Sequence, residues 1–150
     1  MCEYDSTPDT LEHSRRVGDL MLTMFVDAIS RSQRHDHSKM VLPEKEYFDR
    51  ATSRLKDLVY GSDEYKASLD EIRPGIQHHY ENNRHHPEYF LNGVDDMNLV
   101  DVMEMLADWK AASERTSQTI TFDVRRNIER FGLSEQLVKI LENTLADFGW

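Results

Sequence analysis

This 150-residue sequence predicts an all-α fold, a single bundle of about six helices. Three observations carry the prediction. Apolar residues recur at helical spacing through nearly the whole chain. Capping residues, prolines and glycines punctuate the intervals between these stripes. No run alternates apolar and polar residues for long enough to read as a strand, and neither an internal repeat nor a low-complexity segment is visible.

The first helix follows Ser6 and Asp9, which offer N-cap oxygens, with Pro8 suited to a first turn. From Leu11 its apolar stripe runs through Val17, Leu20, Met21, Met24, Phe25 and Ile29 to about Ser32. His13 stands 4, 7 and 11 residues before Val17, Leu20 and Met24, so it is expected to point into a core. After a turn at His35-Asp36, Pro43 starts a helix expected to reach about Tyr60, with Phe48, Ala51, Leu55, Leu58 and Val59 inward and Gly61 as its stop. Ser62 or Asp63 caps the next helix, which carries Tyr65, Leu69, Ile72 and Ile76 inward and delivers His78 and His79 near its end. Pro74 either kinks that helix or breaks it into two. The polar stretch Glu81 to Arg84 turns the chain into His85-His86-Pro87, and a loop containing Gly93 follows. A long helix is expected from about Met97 to Glu114, with an acidic stripe of Asp101, Glu104 and Asp108 beside its apolar face. Two shorter helices, about Thr121 to Phe131 and Ser134 to Phe148, carry Ile128, Phe131, Leu137, Ile140, Leu141 and Leu145.

Composition narrows the functional classes. With 39% hydrophobic residues the chain can build one core but hardly two, so residues 1–150 are expected to form one domain, with residues 1–9 as its flexible N-terminal segment. The formal charge of −10 repels phosphate backbones, and the basic residues form no stripe with aromatics between them, which argues against nucleic acid as a partner. No window approaches the roughly 18–20 apolar residues of a membrane span, and Met1-Cys2-Glu3-Tyr4-Asp5 lacks the pattern of a signal peptide, so a cytoplasmic location is expected. Cys2 alone implies no disulfide. The apolar helices after residue 120, ending at Phe148 and Trp150, can pack on the bundle or on a second subunit, which leaves a homo-oligomer open.

The histidines are the most specific signal. All seven lie before residue 87, in the order His13, His35-Asp36-His37, His78-His79 and His85-His86, and Asp108 follows on a later helix. Imidazole nitrogen beside carboxylate oxygen suits Mn, Fe, Co, Ni or Zn, and such mixed sites usually leave positions open for water and substrate. A bound divalent metal also reverses the local potential, so a small anionic substrate is compatible with an acidic chain.

The order of a helical His, His-Asp at a helix junction, a His cluster and a late Asp resembles the HD superfamily of metal-dependent phosphohydrolases, whose core is a helical bundle. The residues that match its His, His-Asp, Asp ligand order are His13, His35, Asp36 and Asp108. His35-Asp36-His37-Ser38-Lys39 looks like the His-Asp-x-x-Lys form of the signature, in which the lysine contacts substrate phosphate or metal-bound oxygen. The stretch from His78 to Phe90, followed by Asn98 to Asp101 and the Asp108 segment, resembles a largely uncharacterised family of phage and bacterial proteins with an HD-like core; the likeness covers about residues 10–145.

The resemblance implies one or two divalent transition metals, a water acidified for attack on phosphorus, and a small nucleotide or related phosphate ester as substrate. His79 and His86 are the candidates for further metal ligation, with His78 and His85 as their alternates, and Asp101 competes with Asp108 as the last ligand. Asp36, Lys39 and Glu104 are the candidate catalytic residues, and Lys39, Arg84 and His85 are placed toward the substrate. No glycine-rich phosphate loop is present. Two other readings stand beside hydrolysis: a metal-stabilised nucleotide-binding or interaction module without turnover, and a di-iron oxygenase on the same architecture.

Overall fold

The computed structural model describes residues 4–59, 61–116 and 120–150. These form seven α-helices, with short 3-10 turns between some of them and no strand. The helices are α1 (Thr7–Ser32), α2 (Glu44–Asp57), α3 (Asp63–Glu71), α4 (Arg73–Asn82), α5 (Leu99–Thr116), α6 (Ile120–Phe131) and α7 (Glu135–Phe148). Tyr60, the expected end of the second helix, lies outside the described residues. The chain divides into two compact units, residues 1–35 and 36–150.

The first unit is built on α1. The helix starts at Thr7, so residues 7–9 of the expected N-terminal segment are helical. Ser6 occupies the N-cap but makes no side-chain cap bond; the Thr7 amide is instead accepted by Asp5 Oδ1 at 3.0 Å. The apolar stripe was expected to face a core, yet α1 buries none of its residues, and His13 is exposed with the rest. A single helix has no second element within its unit to bury a face against.

In the second unit the apolar core lies among α5, α6 and α7. Met105, Leu106 and Trp109 of α5 meet Ile120 and Val124 of α6 and Leu141 and Leu145 of α7, with Leu133 closing the α6–α7 junction. Trp109 and Phe131 stack nearly parallel, centroids 6.2 Å apart. Each such side chain, fully buried, contributes about 1.5–3 kcal/mol. Gly132, at φ 64, ends α6 in the left-handed conformation, and Ser134 Oγ accepts the Leu137 amide to start α7. Val59 and Ile140, both expected inward, are exposed.

The α2 to α4 segment of this unit buries polar groups alongside a smaller apolar set containing Ala51 and Ile72. Ser62 caps α3 by accepting the Tyr65 amide at 3.1 Å. The expected helix through Pro74 is two helices, parted at Ile72, because proline cannot supply an interior backbone donor but is accommodated in a first turn. This break raises the helix number from about six to seven. It also lets α4 lie against α2, where Gly75 is needed: a Cβ there would fall 2.6 Å from Tyr47 Cβ. Among the described residues no helix is long and apolar enough to cross a membrane.

Candidate metal centre

Asp36 opens the second unit, and it is the only described non-glycine residue with positive φ (57°). Aspartate tolerates this region better than most residues, though at a cost of about 1–2 kcal/mol. The turn leads into the 3-10 segment His37–Met40, and the Asp36 carboxylate reaches His79 and His85. α4 ends at Asn82, and the extended backbone at Asn83 carries the chain round to bring His85 and His86 back against His79.

The ligand nitrogens of His79, His85 and His86 all lie within 4.8 Å of one another. Asp36 Oδ1 is 3.1 Å from His79 Nε2 and 3.5 Å from His85 Nε2. Donors bound to one ion at about 2.0–2.2 Å stand roughly 3–4 Å apart, so the Asp36–His79 and Asp36–His85 separations are on the scale of a shared coordination sphere. His79 and His85 are 2% and 3% exposed, which places the convergence point away from bulk water.

The outer partners settle which nitrogen faces inward. Glu44, at the first turn of α2 and fully buried, has Oε2 2.9 Å from His79 Nδ1 and Oε1 2.8 Å from His78 Nδ1, and it also accepts Ser38 Oγ at 2.8 Å. With the Nδ1 proton of His79 donated to Glu44, Nε2 carries a lone pair. That lone pair faces a carboxylate oxygen without a hydrogen bond, since two acceptors cannot bond each other. A cation between them removes the conflict. His85 repeats the arrangement, with Nδ1 3.3 Å from Glu104 Oε1 and Nε2 toward Asp36. Carboxylates behind ligating histidines fix ring orientation and raise basicity in this way.

His86 Nε2 is buried and makes no hydrogen bond among the described residues. Burial pushes the His86 pKa down to about 3, with the neighbouring His85 and His79 charges adding to the effect, so the ring is neutral and able to ligate at neutral pH. For Asp36, burial works against ionisation, but the Lys39 ammonium and, where Nε2 of His79 and His85 carries the proton and donates it to the carboxylate, these two rings outweigh it and hold the carboxyl well below the usual range. Lys39 Nζ sits 2.6 Å from Asp36 Oδ2, so the lysine takes one carboxylate oxygen and the histidines face the other. Glu44 is shifted the same way: burial raises its pKa, and hydrogen bonds from His78, Ser38 and His79 more than reverse that.

Residues 2–147 match a family of unknown function (DUF5662). The chain belongs to this family. No curated protein and no solved structure shows significant similarity to it.

In this member of DUF5662 the sequence-predicted residues are only partly brought together. Asp36 and His86 each lie against His79. His85, placed toward substrate from the sequence, joins them as a third imidazole, because the turn at Asn83 points it inward. His78 stays 41% exposed on Glu44 and is not part of the cluster. Glu104 backs His85, and Asp108 is half-buried beside His86, raising that ring's proton affinity but standing outside the three-histidine group. His13 lies on the exposed face of α1, and the half-buried His35 is the last residue of the first unit, bonded through its peptide to Asp36.

Arg84, expected on substrate phosphate, has a structural role. Its Nε and Nη2 bond Asp101 Oδ1 and Oδ2 at 3.0 and 2.8 Å, and its guanidinium lies over the Phe90 ring. Asp101 is fully buried and also accepts the Asn98 amide, while Asn98 Oδ1 accepts the amides of Val100 and Asp101. This capping box starts α5 and removes Asp101 as a competitor for metal ligation.

Glu44 and Asn83 went unnoticed in the sequence. Asn83 Nδ2 donates to Ser38 Oγ at 2.9 Å and to the His79 carbonyl at 2.8 Å, tying the His-Asp turn to the end of α4. A glutamate in the first turn of a helix reads as complementing the helix dipole, and nothing in its neighbours announces contacts 34 and 35 positions away.

Proposed function

We propose that this chain is a metal-dependent phosphohydrolase acting on a small nucleotide or related phosphate ester in the cytoplasm. The observation that carries the reading is that the buried His79 and His85 turn Nε2 to Asp36 Oδ1, at 3.1 and 3.5 Å, while the ligand nitrogens of His79, His85 and His86 lie within 4.8 Å of one another. Three nitrogens and one carboxylate oxygen form a donor set for a first-row divalent metal and leave room in the coordination sphere. The likeness of the His, His-Asp and late Asp order to the HD superfamily supports the same chemistry.

A divalent transition metal held by these four residues supplies a Lewis acid for phosphoryl oxygens and acidifies water toward about pH 7. The protein's own groups do the rest. Asp36 contributes the anionic donor, and Lys39 balances its second oxygen while offering an ammonium to a phosphate oxygen. Glu44 and Glu104 hold His79 and His85 with Nε2 inward. Glu104, a carboxylate at the edge of the cluster, would also be able to accept a proton.

The test is metal content per chain in chelator-free protein, with Asp36→Ala alongside, followed by a screen of nucleotides for phosphate release under the metal found. One or two metals in the parent, lost in the variant, together with release of phosphate, is the expected result. Failure of the parent to take up Mn, Fe, Co, Ni or Zn on reconstitution overturns the reading. Metal retention with stoichiometric binding and no release leaves a binding module instead.

A further inference from the structure

A cavity of about 180 Å³ opens among α4, α5 and α6 and shares His86 with the candidate metal centre. Its other polar walls are Asp108 of α5 and Arg126, Asn127 and Arg130 of α6. None of the three α6 residues stood out in the sequence, where the basic residues look scattered among acids. Arg126 and Arg130 are four positions apart and therefore share a helix face, and Asn127, 8% exposed, lies on the cavity wall between them.

We infer that this cavity is the anion subsite of the molecule, in which Arg126, Asn127 and Arg130 take the oxygens of a single phosphate beside His86. The choice of phosphate rests on the hydrolase reading above; the cationic wall does not. Two guanidiniums line the cavity opposite the carboxylate of Asp108, one of them braced from outside by Glu88, and together they supply its cationic wall in a chain of formal charge −10. Arg130 is already ordered, with Nη2 2.7 Å from Glu88 Oε1 and the guanidinium 4.5 Å from the Phe131 centroid. Little side-chain freedom is then lost on binding, and guanidinium forks match the spacing of phosphate oxygens. A cavity of about 150 Å³ accommodates one benzene-sized ring, so this open cavity of about 180 Å³ has room for one phosphoryl group, with the rest of the substrate leading out of it. The substrate class is a small phosphomonoester.

The test is calorimetric titration of metal-reconstituted protein with inorganic phosphate, repeated on Arg126→Gln, Arg130→Gln and Ala112→Leu, with metal content measured on each. Arg126 is at the surface, so its substitution leaves the fold intact, and Ala112→Leu fills the same cavity without touching a charge. Expected are one phosphate per chain, affinity at least tenfold weaker in each variant, and unchanged metal content. Exposed Lys139→Gln, on α7, leaves binding unaltered. Equal affinity in parent and Arg126→Gln, or no binding to the parent, overturns the inference while leaving the metal centre standing. Phosphate binding that depends on Arg126 in protein that takes up no metal supports the subsite and overturns the hydrolase reading.

Discussion

Replacing Glu44 by Gln keeps the side-chain shape and removes the charge on which three donors converge: His78 Nδ1, His79 Nδ1 and Ser38 Oγ. A hydrogen bond to a charged group is worth about 1.5–3 kcal/mol and a neutral one about 0.5–1.5, so each of the three contacts weakens by roughly 1 kcal/mol. The amide also offers only one oxygen. If that oxygen serves His79 and Ser38, the NH₂ group faces His78, which is 41% exposed and can turn to water. The fold is therefore expected to survive, with a loss of about 2–3 kcal/mol in metal-free stability by urea denaturation. Metal affinity, measured against a competing chromophoric chelator, is expected to fall about 10–100-fold, the usual effect of removing a carboxylate behind a ligating histidine. The free-energy equivalent is about 1.4–2.7 kcal/mol. A variant with parental metal affinity and stability would refute the assignment of Glu44 as the group that orients His79.

Other substitutions separate the roles of neighbouring residues. His79→Ala is expected to abolish tight metal binding, whereas His78→Ala, outside the cluster, should change it less than threefold in the same chelator competition, and equal losses would contradict the geometry. Gly75→Ala places a Cβ against the Tyr47 stem and should cost about 1–3 kcal/mol, read as a lowered urea midpoint, with Tyr47→Ala in the same chain restoring part of it. Arg84→Ala is expected to destabilise by about 1–3 kcal/mol by leaving fully buried Asp101 with its backbone partners alone, and to leave phosphate affinity within twofold; a large loss of phosphate binding would return Arg84 to the substrate.

The helices were legible because each carries its own periodicity and punctuation: Ser62, Ser134 and Gly132 act where the sequence placed them. Pro74 by itself allows a kink or a break, and the tertiary structure has the break, with α4 close to α2 at Gly75. Amphipathicity misled at α1. An apolar stripe states that a face prefers burial, but not which partner supplies it, and within its own unit α1 has none.

The candidate site divides along the same line. The sequence by itself determined the all-helical class and singled out Asp36, His79 and His86, because chemically unusual residues clustered near predicted helix ends remain visible without coordinates. Tertiary structure alone decided that His85 turns inward while His78 stays on Glu44, that Arg84 and Asp101 satisfy each other, and that Arg126 and Arg130 face a cavity beside His86. Ligation and charge pairing depend on atoms within about 4 Å, and side chains tens of positions apart acquire that proximity only through the angles at which helices pack.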